Sequence, residues 1–168
     1  MIRILGNMSD EERNILRKAT VYTLDFLLPR RARKNLNVII QLAPPNDEQR
    51  REKTKAECGY DETETGKYAR IWLNDKRISK RSEKLQKRFG NIMRDLCHEL
   101  VHVKQYARGE LKDLATCTVF RGEKSPYPEK STDVDYYLSK WEVEAYGLER
   151  GLYARLEAYF KEEAKANG

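Results

Sequence analysis

The chain has 168 residues, of which 39% are hydrophobic and 36% are charged, and its formal net charge is +6. Its length suits one domain, which we predict to span residues 1–168 with a core from about 36 to 160. The sequence contains no run of about 18 apolar residues and no secretory signal. It therefore predicts a cytoplasmic protein without a membrane-spanning segment.

The first predicted element is a helix. Residues 9–12 read Ser-Asp-Glu-Glu, which is the pattern of a capping box that opens a helix. Apolar residues at helical spacing continue the helix to Leu28, and Pro29 ends it because proline cannot donate a backbone hydrogen bond. An apolar run at residues 37–42 then predicts a strand.

The elements that follow indicate an α+β chain. Residues 46–66 are polar and charged, so we expect an exposed hairpin or a mobile loop there. Residues 67–74 predict a second strand, and residues 116–120 predict a short third one. A stretch rich in proline and glycine follows at residues 122–128 and predicts a loop.

The most specific feature is the pentapeptide His-Glu-Leu-Val-His at residues 98–102, which contains the only two histidines of the chain. Residues 91–107 have helical apolar spacing with Asn91 as the predicted N-cap, so the pentapeptide lies inside a helix. Positions i and i+4 share one face of a helix. The two histidines can therefore hold one metal ion, with Glu99 beside the open coordination position.

His98 and His102 do not complete a catalytic metal site, which takes three protein ligands and a water molecule. Because the chain has no other histidine, the third ligand has to be a carboxylate or a thiolate. Cys97 points about 100° round the helix from its neighbour His98, and we expect it to pack in the core. Cys58 and Cys117 lie outside any C-x-x-C spacing, which predicts reduced thiols.

A third helix is predicted from residue 139 to about residue 160. It carries Glu142 and Glu144 at opposite edges of one apolar stripe. Both glutamates could therefore border a buried cleft, and helical geometry alone does not choose between them as the third ligand.

The combination of H-E-x-x-H with a later helical E-x-x-A resembles the gluzincins, the thermolysin-like branch of the zincin metallopeptidases. In several gluzincin families the glutamate that ligates zinc is followed at its third position by a small residue. Glu142 has Ala145 at that position, whereas Glu144 has Gly147. The resemblance therefore implies Glu142 as the third ligand of a Zn²⁺ ion, with Glu144 as the alternative.

The resemblance also implies a fold and a source. The implied fold is a minimal α+β zincin domain, in which a small sheet packs on the H-E-x-x-H helix and a C-terminal helix supplies the third ligand. The chain is similar to very small gluzincin-like peptidases, some of which are encoded by phages. A virus-encoded protein acting in a host cell is thus the expectation from this resemblance.

A member of that group would hydrolyse peptide bonds as a zinc metallopeptidase. Glu99 would be the general base, taking a proton from the attacking water and returning it to the leaving amine. Many gluzincins add a histidine or a tyrosine that donates to the oxyanion, and here no histidine is left. Of the nearest tyrosines, Tyr136, Tyr137 and Tyr146, the last two are the candidates for this role. Tyr146 also stands four residues after Glu142, where relatives often keep an acid or amide that supports a ligand histidine.

The predicted partner is a peptide or protein substrate. By resemblance it would lie along an edge strand at residues 68–74, whose free N–H and C=O groups can pair with an extended peptide. One alternative is a zinc-binding regulator or peptide binder that has lost catalysis. Another is a nucleic-acid-associated protease, since basic clusters stand at residues 30–34 and 76–88. Glu99 favours hydrolysis, because zinc binding alone does not need that carboxylate.

Overall fold

The structure, a computed structural model, describes residues 1–51, 54–74, 85–126 and 133–166. Within these ranges the chain forms five helices, a four-stranded mixed sheet and a three-stranded antiparallel sheet. The predicted α+β class is confirmed. Among the helices of these ranges, none is both long enough and apolar enough to cross a bilayer.

The larger sheet has the strand order β1-β2-β4-β3, in which β1 and β4 run parallel to β2 and β3 runs antiparallel to β4. Its strands are β1 (Ile2–Leu5), β2 (Leu36–Ala43), β3 (Ala56–Thr63) and β4 (Gly66–Asn74). β2 and β4 are the two strands predicted from the apolar runs. β3 lies in the stretch 46–66 predicted as a hairpin or loop, but it pairs with β4 instead of forming a hairpin within that stretch. β1 is not among the predicted strands.

One face of this sheet contributes to the core. Alternate residues of β2 and β4 are buried, and the register places Ile40 beside Ile71 and Val38 beside Ala69. Side chains alternate between the two faces of a strand, so this period of two puts all four residues on the same side. Branched side chains such as valine and isoleucine pack well on a pleated surface, which favours strands here.

Helix α1 (Asp10–Leu27) begins and ends within one residue of the predicted positions. The hydroxyl of its N-cap, Ser9, accepts a hydrogen bond from the N–H of Glu12 at 3.2 Å, and the Glu12 carboxylate accepts one from the N–H of Ser9 at 2.7 Å. The predicted capping box is therefore confirmed. After β2, a short helix, α2 (Asp47–Arg51), lies in the segment predicted as a hairpin or loop.

Helix α3 (Leu85–Ala107) is the central helix of the fold, packed against α1, β3 and β4. It starts six residues before Asn91, so the prediction of Asn91 as its N-cap is wrong. Leu85 and Phe89 continue the apolar spacing upstream, and tertiary packing outweighs the small intrinsic penalty of Gly90 inside the helix. Residues 75–84 lie outside the described ranges.

The smaller sheet follows α3. It is antiparallel and consists of β5 (Leu111–Asp113), β6 (Cys117–Phe120) and β7 (Glu123–Pro126). β6 confirms the short strand predicted at residues 116–120. β7 occupies part of the stretch predicted as a loop, whose residues 127 and 128 lie outside the described ranges. A short helix, α4 (Asp133–Tyr137), comes next.

Helix α5 (Lys140–Ala166) packs along α3 on the side away from the larger sheet. It is six residues longer than predicted at its C-terminal end. Leu152 and Leu156 are buried in the core, whereas its far end is fixed to α1, where the ring of Tyr159 stacks on Tyr22 with 4.4 Å between centroids. The position of α5 on α3 determines where its first turn lies.

The predicted edge strand at residues 68–74 is wrong. These residues belong to β4, which pairs with β2 on one side and β3 on the other, so their backbone groups are already used in the sheet. The edge at this side is β3, Ala56–Thr63. The sequence does not reveal this because β3 is rich in polar residues and β4 in apolar ones.

Packing of α5 on α3 generates the first prediction. Leu156 is 1% exposed and Leu148, on the same helix, is 37% exposed. We expect Leu156→Ala to lower the free energy of unfolding by roughly 2–5 kcal/mol, because it leaves a cavity in the core. The matched Leu148→Ala should lower it by less than about 1 kcal/mol. Urea denaturation of both variants measures this, and equal losses would contradict the described packing.

Candidate metal centre

Three buried side chains from two helices meet in a nearly equilateral triangle. His98 and His102 stand one turn apart on α3, and their Nε2 atoms are 3.2 Å from each other. Glu142, in the first turn of α5, places Oε2 3.2 Å from Nε2 of His98 and Oε1 3.2 Å from Nε2 of His102. Their exposed fractions are 8%, 7% and 1%. This triangle is called the His-His-Glu cluster below.

The His-His-Glu cluster fits a tetrahedral divalent metal ion such as zinc. Ligand atoms about 2.0–2.1 Å from zinc in a tetrahedral site lie about 3.3 Å from one another. The two imidazole nitrogens are 3.2 Å apart, and each lies 3.2 Å from a different oxygen of the Glu142 carboxylate. Two imidazoles and one carboxylate are also a donor set of catalytic zinc sites, which leave the fourth position open. Across the described part of the chain, this is the group of histidine, cysteine and acidic residues whose donor atoms converge within 4.8 Å.

Glu144, the alternative ligand, lies away from the cluster. Its carboxylate accepts hydrogen bonds from Lys104 at 3.0 Å and from Arg121 at 2.6 Å. Residues two apart on a helix point about 200° from each other round its axis, so Glu142 and Glu144 cannot share one site. The structure therefore brings Glu142 to the histidines and leaves Glu144 in an ion-pair network.

Each histidine has a second contact, through the ring nitrogen that faces away from the cluster. Nδ1 of His98 is 3.2 Å from Oε2 of Glu149. An ionised carboxylate only accepts, so this nitrogen donates. In a neutral ring Nε2 would then hold the lone pair that can bind a metal ion. Nδ1 of His102 is 2.9 Å from Oε1 of Gln105.

The sequence analysis missed both of these partners. Glu149 follows Glu142 by seven residues, which is two helical turns, so it shares a helix face with Glu142. With Glu142 as the third ligand, this spacing predicts that Glu149 lies near the histidines. Gln105 follows His102 by three residues and could have been found in the same way.

Of the three tyrosines considered, Tyr136 has the direct polar contact with the cluster. Its hydroxyl donates to Oε1 of Glu142 at 2.7 Å. The ring of Tyr146 lies 4.4 Å from the ring of His98, a packing contact. Tyr137 is half exposed and contacts the rings of its two tyrosine neighbours. Tyr136 rather than Tyr137 therefore brings a hydroxyl to the His-His-Glu cluster.

Opposite charges inside the cluster shift the pKa values of its members. Burial alone would raise the pKa of Glu142, but the hydrogen bonds from His102 and His98 outweigh it and lower this pKa to about 2. Burial would lower the pKa of His102, but its hydrogen bond with Glu142 and the charge of Glu99 raise it to about 9. The cluster therefore attracts a positive charge, either a proton or a metal cation.

Glu99 is buried beside the cluster and is 5% exposed. Burial raises the pKa of its carboxyl to about 7, although the nearby charges of His102 and His98 pull it down. A carboxyl with this pKa exchanges protons near neutral pH, which is the range that a general base needs.

The cluster opens into a cleft of about 1940 Å³. Cys58 of β3 lies on one wall, and Phe120 of β6 and Trp141 of α5 lie on another. Cys97 is fully buried and lines no part of the cleft, as predicted. All three cysteines are free.

No family model, no curated protein and no solved structure matches this chain. The chemistry of the centre therefore follows from its own residues and distances. The predicted residues His98, His102, Glu142 and Glu99 come together at the floor of the cleft.

The buried Glu99 generates a prediction for the metal-free protein. Its folded pKa of about 7 lies above the ordinary value of 4.5. The folded state therefore favours the protonated acid, and its stability falls as the pH rises from about 4.5 through 7. Glu99→Gln cannot ionise, so we expect it to exceed the wild type in free energy of unfolding by roughly 1–3 kcal/mol at about pH 8, but by little at about pH 4.

Urea denaturation at the two pH values, in the presence of a chelator, measures this difference. Glu11→Gln on the exposed side of α1 is the matched control, because a solvated carboxylate should give no such pH dependence. A difference between Glu99→Gln and wild type that stays constant with pH would show that the pKa of Glu99 is the same in the folded and unfolded states.

Proposed function

We propose that this protein is a zinc-dependent metallopeptidase of the gluzincin type. The observation that carries the proposal is the closed His-His-Glu cluster with the buried carboxyl of Glu99 beside it, at the floor of an open cleft. A site that only stores a metal needs neither this second carboxyl nor an open cleft beside it.

His98, His102 and Glu142 would hold the metal ion through two neutral imidazoles and one carboxylate. Bound zinc supplies Lewis-acid chemistry, which polarises a peptide carbonyl and makes water more acidic. The two imidazoles are oriented for this role by their Nδ1 contacts with Glu149 and Gln105.

Glu99 would be the general base. With a pKa of about 7 it is partly ionised at neutral pH, so it can accept a proton from the attacking water. The same carboxyl, once protonated, can return that proton to the leaving amine. Its burial matters because it brings the pKa close to the pH at which both steps have to occur.

Tyr136 is our candidate for the donor to the developing oxyanion. Its hydroxyl already lies at the cluster, 2.7 Å from Glu142. Burial and the negative charge of Glu142 raise the pKa of Tyr136 well above its usual range, so the hydroxyl keeps its proton and remains a donor. This proposal replaces Tyr137 and Tyr146 in that role.

We propose that the peptide substrate lies along β3. Among the residues that the structure describes, no strand pairs with the outer edge of β3. Ala56 and Cys58 of this strand line the cleft that contains the cluster. An extended peptide can add to such an edge through backbone hydrogen bonds, which gives affinity that tolerates many sequences. The substrate position thus moves from residues 68–74 to the neighbouring strand.

Metal content tests the ligand set. We expect about one zinc ion per wild-type chain, because the cluster offers three ligands to one ion. Glu142→Ala should lower zinc affinity by roughly 100-fold or more, since it removes a ligand, whereas Glu144→Ala should lower it by roughly 10-fold. Competition with a chromogenic chelator measures both values. The reverse order of the two variants would move the ligand role to Glu144.

Activity tests the role of Glu99. Glu99→Gln keeps the size of the side chain but cannot accept a proton, so we expect unchanged zinc content and a loss of peptide hydrolysis of roughly 10²-fold or more. Cleavage profiles on a peptide library, with zinc content measured on the same samples, provide the comparison. Wild-type cleavage by Glu99→Gln would rule out Glu99 as the base.

A further inference from the structure

We propose that Gln105 is a positioning residue that fixes the ring tautomer of His102 and clamps the two ligand-bearing helices together, and that Glu144 fixes the orientation of Gln105. The inference rests on the proposed metal site and adds to it a pair of residues outside the ligand set. It also gives a role to Glu144, which the metal itself does not use.

Gln105 is completely buried and its side-chain amide has three polar contacts. Oε1 lies 2.9 Å from Nδ1 of His102. Nε2 donates to the backbone carbonyl of Trp141 at 3.0 Å and to Oε2 of Glu144 at 2.8 Å. One amide on α3 thus reaches both a metal-ligand candidate and the start of α5.

The partners leave the Gln105 amide only one orientation. The Trp141 carbonyl and the Glu144 carboxylate can only accept hydrogen bonds. The NH₂ group of Gln105 therefore has to face these two acceptors, with one N–H for each. Its carbonyl oxygen is left to face His102.

This orientation determines the tautomer of His102. An amide oxygen only accepts, so Nδ1 of His102 has to carry the proton that it donates to Gln105. In the neutral ring the other nitrogen, Nε2, then holds a lone pair. Nε2 is the atom that points into the His-His-Glu cluster, 3.2 Å from Glu142.

Glu144 can direct Gln105 because cations hold it as an anion. Lys104 donates to its Oε1 at 3.0 Å and Arg121 donates to the same oxygen at 2.6 Å. The other oxygen, Oε2, is thereby left for Gln105.

The same amide also limits the movement of α5. Its two acceptors, the Trp141 carbonyl and the Glu144 carboxylate, stand on either side of Glu142 in the first turn of that helix. A shift of α5 along α3 would therefore break a buried hydrogen bond of Gln105, which costs roughly 1–3 kcal/mol. Gln105 thus couples the orientation of one ligand to the position of another.

A polarity swap tests the inference. Gln105→Glu alone places a carboxylate at position 105 next to the carboxylate of Glu144. Glu144→Gln alone removes the anion that orients the Gln105 amide. We expect each single variant to lower zinc affinity by roughly 10- to 100-fold. In the double variant Q105E/E144Q, the carboxylate introduced at position 105 accepts from His102, and the amide introduced at position 144 donates to that carboxylate. We expect this variant to bind zinc more tightly than either single variant but less tightly than the wild type, because the Trp141 carbonyl loses the donor that Gln105 supplies.

A second readout reports the tautomer directly. Long-range ¹H–¹⁵N correlation spectra of the zinc-loaded protein distinguish a protonated ring nitrogen from a metal-bound one, and only two histidines contribute signals. We expect Nδ1 of His102 to be protonated and Nε2 to be metal-bound in the wild type and in the double variant. Losses in the double variant equal to the sum of the single losses, or a metal-bound Nδ1 in the wild type, would overturn the inference.

Glu110→Gln is the matched control. Glu110 shares the cations of Glu144, accepting from Lys104 at 2.7 Å and from Arg121 at 3.3 Å, but its side chain does not reach Gln105. We expect its zinc affinity within about threefold of wild type. If Gln105→Glu does not fold, the zinc affinities of Glu144→Gln and Glu110→Gln still test the inference. Equal losses of zinc affinity in these two variants would contradict it.

Failure of this inference is distinguishable from failure of the proposed function. If the wild type binds no zinc, the metal site itself is refuted. If zinc binds and peptides are hydrolysed while the polarity swap shows no rescue, only the role of Gln105 and Glu144 is refuted.

Discussion

The fold depends on one constraint, the burial of residues 96–105 of α3. Ten consecutive residues, Leu96–Gln105, are buried, and they include two histidines, a glutamate, a lysine and a glutamine. A buried polar group without a partner costs roughly 1–3 kcal/mol, and an unpaired charge costs more. The neighbouring elements therefore have to complement each face of α3. Apolar strands pack against one face, and acidic residues of α5 contact the polar residues of another.

The spacing of the glutamates on α5 follows from that constraint. Glu142 and Glu149 are two turns apart on one face, and both meet imidazoles of α3. Glu144 lies on another face and meets the buried Lys104. These three carboxylates of α5 therefore differ in their partners according to their position on the helix. Two of them contact imidazoles, and the third pairs with a lysine that is 7% exposed.

The sequence predicts those features that depend on local spacing. The capping box of α1, the apolar runs of β2 and β4 and the i, i+4 pair of histidines are each readable within a few residues. The contacts of Gln105 with Trp141 and Glu144, and of Glu149 with His98, cannot be read locally. The residues in each pair lie 36 to 51 positions apart along the chain. For the same reason only the tertiary contacts separate Glu142 from Glu144, and only strand pairing reveals β3 as the edge.

Helix α5 also connects the His-His-Glu cluster to a distant contact with α1. Its 27 residues carry Glu142 in the first turn, while Tyr159 and Glu163 near the other end contact Tyr22 and Lys18 of α1. About 25 Å of helix separates Glu142 from Tyr159, so a tilt of 1° about the far contact moves the carboxylate by roughly 0.4 Å. That displacement exceeds the tolerance of a metal–ligand distance, about 0.2 Å. The position of Glu142 relative to the two histidines thus depends in part on the contact between α5 and α1, which lies about 25 Å of helix away.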